Sequence, residues 1–281
     1  MPTLNVKEKG LKMKDVITSP QNQQIKSIID LQKSRIRKKS SRFGVEGTRE
    51  ISMALKNNFK LEQVFYCPEL FNIESKLLLK ELSPKTKRSF EISSNCFEKI
   101  AVRKESDGLY ALFQKKEEAK LERIKSPDQE NLFLVLDGLE KPGNLGAILR
   151  SCDAAKVSAI ILTNPKVDLY NPHVIRSSLG ACFSMPLLVA EISELNQFFN
   201  EKKVSVFLSY LDKSSKVYYK ENLKQATALV IGSESHGICS DWLQTENKRI
   251  IIPMSGQVDS LNASVATSVL LFETQRQRSI S

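Results

Sequence analysis

The chain has only two histidines, His173 and His236, and no two of its five cysteines form a C-x-x-C pair. Zinc sites draw on closely spaced Cys and His, and a Ser-His-Asp triad needs a histidine, so both chemistries have few possible members here. No metal is expected. Cys67, Cys96, Cys152, Cys182 and Cys239 lie far apart, mostly among apolar or small residues, the pattern of reduced thiols in a cytosolic protein. No apolar run approaches the roughly 18 residues of a membrane span. The opening MPTLNVKEKGLKMKD is polar and has no apolar core of signal-peptide length, so a cytoplasmic location is expected and no membrane partner.

Two nucleotide-binding signatures are also missing. A Rossmann fingerprint places Gly-x-Gly-x-x-Gly directly after the first strand, whereas DGLEKPGNLG puts its glycines at Gly138, Gly143 and Gly146 with Pro142 between them. There is no Gly-x-x-x-x-Gly-Lys-Ser/Thr loop, which argues against an NTPase.

What is present begins with charge. Forty-two Lys and Arg against thirty-two Asp and Glu give a formal charge of +10, which favours polyanionic partners through phosphate neutralisation. At 281 residues, 41% hydrophobic and 26% charged, the chain has room for two domains, each with a core. Residues 1–16 read as a loose tail. NQQIKSIIDLQKSRIRKKSSR then spaces Ile25, Ile28, Ile29 and Leu31 at helical intervals and ends in basic residues. FGVEGTREISMALKNN reads as a strand, a turn at Gly47 and a helix, LEQVFYC as a strand, and FEISSNCFEKIA to GLYALFQ as further alternating elements. A small α/β domain over 17–114 follows. The charged stretch at 115–130, broken by Ser126-Pro127, reads as a linker. From 131 onward LFLVLD, SAIILT, VSVFLSY, TALVIGS and RIIIP read as buried parallel-type strands alternating with helices.

Three corners of this second domain share a plan in which an apolar strand ends in a glycine-containing polar loop and a helix follows. They are LVLDGLEKPGNLGAILRSCDAA, LVIGSESHGICSDWL and IIIPMSGQVDSLNASVATSVLLFE. Ligands of open α/β sheets bind at the carboxyl ends of strands, so the three corners can line one site. The third is unusual because Ser260, Asn262 and Ser264 crowd a helix entrance that needs one capping side chain. Asn144 reads by itself as the cap of a helix beginning at Leu145, and Arg150 as a surface charge.

Together PGNLGAILRSCDA, VIGSESHGI and IPMSGQVDSLNASVATSVLLFE resemble, in order, the three motifs of the TrmH (SpoU) family of the SPOUT superfamily, RNA ribose 2′-O-methyltransferases. FGVEGTREI and SDGLYALF resemble the small substrate-binding domain that precedes the catalytic domain in this family. The resemblance implies an α/β fold: a C-terminal SPOUT domain with a deep trefoil knot over 131–281, preceded by a small α/β RNA-binding domain. It implies S-adenosyl-L-methionine as cofactor and a homodimer. It also implies catalytic roles for Asn144, Arg150, Glu234, Ser260 and Asn262, with Asn144 beside Arg150 and Glu234 holding an arginine or shaping the pocket. Cofactor contacts are implied at Gly232, Ile252 and Leu261, largely through backbone, with Met254 and Ala263 as neighbours.

NPHVIRSSLGA resembles a further family segment, with Arg176, Ser177 and Gly180 on the substrate side, while His236 reads as a surface loop residue. The family's proposal is that the arginine helps deprotonate the ribose 2′-OH. An ordinary arginine holds its proton too firmly to act as a base, which favours a different account, in which Arg150 stabilises the developing alkoxide while another group takes the proton. Lys33, Arg35, Arg37, Lys38, Lys39 and Arg42 form a dense basic segment read as an RNA phosphate clamp. Ribosomal RNA is the expected substrate. The same chemistry on transfer RNA, or a non-catalytic RNA-binding or ribosome-assembly relative, are the alternatives.

Overall fold

The computed structural model describes residues 16–86, 88–117, 121, 124 and 131–280. The expected tail lies outside the described residues except for its last, and most of the expected linker lies outside them too.

The N-terminal part builds on a four-stranded sheet of β1 (Arg42–Glu46), β2 (Leu61–Tyr66), β3 (Ser89–Glu91) and β4 (Leu109–Gln114), ordered β1-β4-β2-β3. β4 pairs antiparallel with β1 and β2, and β3 joins parallel to β2. Around the sheet lie α1 (Gln23–Leu31), α2 (Ser34–Lys39), α3 (Thr48–Lys56), α4 (Ile73–Leu82) and α5 (Ser94–Ile100). Gly47 turns the chain from β1 into α3 with φ +100°, a conformation that favours glycine.

The basic stretch after α1 does not simply extend that helix. Lys33 is extended, and α2 starts afresh after it. This break swings Arg37 inward, where its Nη1 donates to the carbonyls of Leu31 (2.8 Å) and Gln32 (2.9 Å) at the end of α1. Carbonyls at a helix end have no intrahelical donor, so the arginine caps α1.

The second part is a seven-stranded sheet of β5 (Leu132–Asp137), β6 (Ala159–Thr163), β7 (Leu187–Val189), β8 (Ser205–Ser209), β9 (Lys216–Val217), β10 (Thr227–Ile231) and β11 (Lys248–Ile251). Its order is β7-β6-β5-β10-β8-β11-β9, and every pair is parallel. Parallel strands are covered on both faces, and alternate residues of β5 divide accordingly. Leu132, Leu134 and Leu136 enter one core with Leu145, Leu149 and Leu270, while Phe133 and Val135 enter another with Phe199 and Trp242. The covering helices are α6 (Pro142–Ala154), α7 (Pro172–Ser177), α8 (Ile192–Glu201), α9 (Ser240–Leu243) and α10 (Ala263–Ser279).

The two sheets share one apolar core. Phe43 of β1 stands 4.4 Å from Tyr170 and 5.8 Å from Phe183, centroid to centroid. Beside this aromatic contact the Arg37 Nε bonds Asp168 at 2.6 Å, with side-chain exposures of 1% and 8%. Gly180, at φ +81°, brings its backbone so close to α3 that a Cβ there would lie 2.8 Å from that of Met53. The two parts are thus locked together on the α7 side, which fixes what each presents to the cleft between them.

Candidate active site

Strand order switches direction beside β5. The chain moves outward through β6 and β7 on one side, while β10 and β8 occupy the other. Crevices at such a switch, beyond the carboxyl ends of the strands, are where open α/β sheets bind ligands. Asp137, the last residue of β5, is buried here and ties three segments together. Its Oδ1 accepts from Thr163 Oγ1 (2.9 Å) and Asn164 Nδ2 (2.9 Å), and its Oδ2 accepts from the Cys239 amide (2.7 Å). Sequence reasoning passed over Asp137, although an acid closing an all-apolar strand is a visible anomaly.

After β10 the chain makes a tight loop in which Ser233 and Gly237 exchange backbone hydrogen bonds of 3.0 Å each. A Cβ on Gly232 would fall 2.2 Å from the Gly237 carbonyl carbon, so only glycine fits. The loop holds Glu234 outward, and its carboxylate accepts a hydrogen bond from Asn144 Nδ2. In turn Asn144 Oδ1 accepts from Asn262 Nδ2 at 3.3 Å. Glu234, Asn144 and Asn262, from the three corners, therefore form one chain of side-chain hydrogen bonds.

Asn144 is not the cap of a helix starting at Leu145. α6 begins at Pro142, with Lys141 in the cap position, because proline is preset for the first helical turn and has no N–H to leave unpaired. The Asn144 side chain is thereby free to bridge. Among the described residues Glu234 pairs with this asparagine and not with an arginine. At the third corner Asn262 Oδ1 accepts from the Ser264 amide (3.0 Å) and hydroxyl (2.7 Å), which caps α10 and aims Nδ2 at Asn144. Further along, Ser268 of α10 meets Ser151 of α6 at 2.8 Å. The crowding of polar residues thus serves two purposes, a cap and a cross-link.

Two recesses flank this chain. One, of about 140 Å³, lies beyond β8 and β11 and is lined by Ile250, Ile252, Met254 and Leu261, with Ser209, Asp259 and Ser260 as polar members. Its apolar walls and polar edge suit a largely apolar group that carries a few hydrogen-bonding atoms. Gly232 and Ala263 stand outside this lining. Ala263 is 6% exposed at the first position of α10. The other, about 630 Å³, is lined by Arg103, Arg150, Arg176 and His173 with Pro142, Gly143, Ser177 and Leu179. Arg150 projects exposed from α6 into it, and no carboxylate among the described residues lines it. His236 lies exposed in the loop after β10, bonded to the Ser235 hydroxyl at 2.7 Å.

Among the described residues no three His, Cys, Asp or Glu side chains group in a way that could hold a metal ion, and no helix is long and apolar enough to cross a membrane. Burial pushes the Cys182 thiol up to about 12 and raises that of Cys152 as well, so neither supplies a thiolate nucleophile at neutral pH.

The basic segment divides. Lys33, Arg35, Lys38 and Lys39 are exposed, and Arg42 is half-buried 3.7 Å from Glu62. Arg37 is not part of any exposed clamp, because its guanidinium is committed to Asp168 and the end of α1. Lys38 also reaches a largely apolar inter-sheet groove of about 500 Å³, where Lys115, Lys116, Phe59 and Tyr170 stand beside the carboxylates of Glu117 and Asp168.

Residues 131–272 match the SpoU rRNA Methylase family, and residues 22–111 match the MRM3-like substrate binding domain. The human mitochondrial rRNA methyltransferase 3 is 29% identical over 92% of this chain and 73% of its own length. The Escherichia coli 23S rRNA (guanosine-2′-O-)-methyltransferase RlmB is 37% identical over 56% of this chain and 64% of its own. Among solved structures, an RNA 2′-O ribose methyltransferase superposes with a TM-score of 0.83 at 37% identity, covering 94% of this chain and 99% of that one. An AdoMet-bound rRNA methyltransferase from Sinorhizobium meliloti superposes with a TM-score of 0.83 at 25% identity, covering 93% and 97%. With its three corners joined at one crevice and both parts of the chain matched, the protein belongs to the SpoU rRNA methylase family.

Proposed function

We propose that the protein transfers a methyl group from S-adenosylmethionine to a ribose 2′-hydroxyl of RNA, and that the RNA is ribosomal. The carrying observation is the bridge from Glu234 through Asn144 to Asn262, set between an apolar recess and an arginine-lined cleft. Ile252, Met254 and Leu261 would hold the cofactor, with Ser260 and Asp259 at its polar edge and Gly232 and Ala263 supporting the surrounding backbone. The cofactor supplies a methyl group already activated by a positively charged sulfur, so the chain's task is alignment and the handling of one proton.

A guanidinium has hydrogen-bond donors and no acceptor, so Arg150 suits charge stabilisation and not proton uptake. It therefore stabilises charge building on the ribose oxygen, and the proton passes to a different acceptor. Asn144, fixed from both ends, defines the boundary between the two recesses. Residues 17–114 serve as the substrate domain and 131–281 as the methyltransferase domain, joined by 115–130. Exposed Lys33, Arg35, Lys38 and Lys39, with Arg42, give the substrate domain its phosphate contacts.

The reading includes a knotted path for the segment from β11 to α10, a cytoplasmic location and a homodimer. Val265, Val269 and Phe272 support the dimer. They lie on one face of α10, and Val265 and Phe272 are 47% and 51% exposed. Ribosomal RNA is preferred over transfer RNA because the relatives that span both parts of the chain include a ribosomal RNA enzyme. Incubation with S-adenosylmethionine and separate unmodified ribosomal and transfer RNA pools, followed by nucleoside mass spectrometry, tests this. A 2′-O-methylated nucleoside only in the ribosomal pool is expected. The same product only in transfer RNA would reassign the substrate, and product in neither would leave a non-catalytic RNA binder.

A further inference from the structure

The cleft in front of Arg150 is not made by one domain. Arg103 reaches it from the loop between α5 and β4, while Arg150 and Arg176 come from α6 and α7. Arg103 is held in place by its surroundings. Its guanidinium pairs with Glu50 of α3, whose side chain is 1% exposed, while the Arg103 side chain as a whole is 24% exposed and lines the cleft. The pair lies over Gly47, where a Cβ would fall 2.6 Å from the Glu50 carboxylate and 2.9 Å from the Arg103 guanidinium. Glu46 accepts from the amides of Val102 (2.5 Å) and Arg103 (3.3 Å), and Arg176 Nη1 donates to the Val102 carbonyl at 3.0 Å. The same arginine that lines the cleft from the methyltransferase domain thus fastens the loop that brings in Arg103.

Three guanidiniums share this cleft, and among the described residues the only carboxylate bonded to any of them is the buried Glu50 behind Arg103. Such a cluster has hydrogen-bond donors to spare and mutual repulsion, both of which an anion relieves. Arginine forks match the paired oxygens of a phosphate, and Gly143 leaves the approach to the first turn of α6 open, since a Cβ there would meet nothing within 4 Å.

We propose that Arg103 of the substrate domain completes, with Arg150 and Arg176, a subsite that grips one backbone phosphate of the RNA next to the target ribose. This rests on the methyltransferase reading of the cleft. It makes the junction between the domains a ruler: the substrate domain supplies a fixed anchor inside the catalytic cleft as well as its outlying basic surface. Ligand geometry at the target is then set by both domains together.

The test is filter binding of in-vitro-transcribed ribosomal RNA to the full-length protein across a salt series, for wild type, Arg103→Gln and Arg103→Lys, with methyl transfer run on the same samples. Gln leaves the buried Glu50 without its cation, so thermal melting and S-adenosylmethionine binding by calorimetry establish that each variant is folded, and Arg103→Lys keeps a cation beside Glu50. Removing one of three partners of that phosphate should weaken RNA binding about tenfold at moderate salt, while Arg150 and Arg176 still neutralise it. Arg103→Lys should recover part of the affinity because it restores the charge. An Arg103→Gln affinity equal to that of wild type at every salt concentration overturns the subsite, whatever happens to catalysis. The expected loss of affinity without methyl transfer by any of the three proteins would instead count against the methyltransferase reading and leave the subsite standing.

Discussion

Asn262 donates its side-chain amide to Asn144 at 3.3 Å across 118 residues of sequence, joining the entrance of α10 to the first turn of α6. Because Asn144 also donates to Glu234, one half-buried asparagine sets the relative position of all three corners of the site.

Asn144→Ala removes both bonds at once. Each is worth about 1 kcal/mol at most at a partly exposed site, so thermal unfolding should shift little. Methyl transfer should fall roughly 10- to 100-fold, because small misplacements of an aligned centre are costly. A variant with wild-type turnover would remove the bridge from the mechanism.

Arg37 should behave as a structural residue. Replacing it with Met strands Asp168 in the inter-sheet core and should cost about 3–5 kcal/mol in urea unfolding, as loss of one partner of a buried pair does. The double variant Arg37→Met/Asp168→Leu should recover much of that loss. A single variant as stable as wild type would show that the pair does not hold the domains together.

How much of this could be read in advance differs by feature. The strands of the larger sheet were legible because parallel strands buried on both faces are continuous apolar runs, as in Leu132–Leu136. The three corners were legible as a set because their polar and glycine content breaks those runs at the same kind of place. The inward turn of Arg37 was not, since its partner Asp168 lies 131 residues away and nothing local distinguishes it from Arg35 or Lys38. Read without the family resemblance, Asn144 passes for an ordinary cap, although Pro142 two residues earlier marks the true start of α6. Arg103 carried no signal at all, because its place in the cleft depends on how the two sheets are joined.

For RNA binding, charge reversal of Lys38 and Lys39 should weaken affinity for ribosomal RNA and flatten its salt dependence, by about 0.7 to 0.9 in slope for each phosphate no longer neutralised. Both side chains are exposed, so stability should change by less than about 0.5 kcal/mol. An unchanged slope would exclude this segment from the RNA interface.

Glu46 gives a pH signature. Burial raises its carboxyl above the ordinary 4.5 despite amide donors from Val102 and Arg103. A folded-state value above the unfolded one means its stabilising contribution is fully present below about pH 4.5 and is lost as pH rises through the raised value. The stability of Glu46→Gln relative to wild type should therefore increase as pH rises from about 4 toward neutrality, measured by denaturant melts across that range. A difference that shrinks with rising pH would contradict the assignment.

The most direct test of the central claim is transfer of labelled methyl groups to unmodified ribosomal RNA, mapped by resistance to alkaline cleavage, for wild type beside Arg150→Ala. Wild type should yield a single alkali-resistant position and Arg150→Ala none, with S-adenosylmethionine affinity within a few-fold between the two. Equal labelling by both proteins would contradict the claim, because the cleft in front of Arg150 would then not be where the ribose reacts.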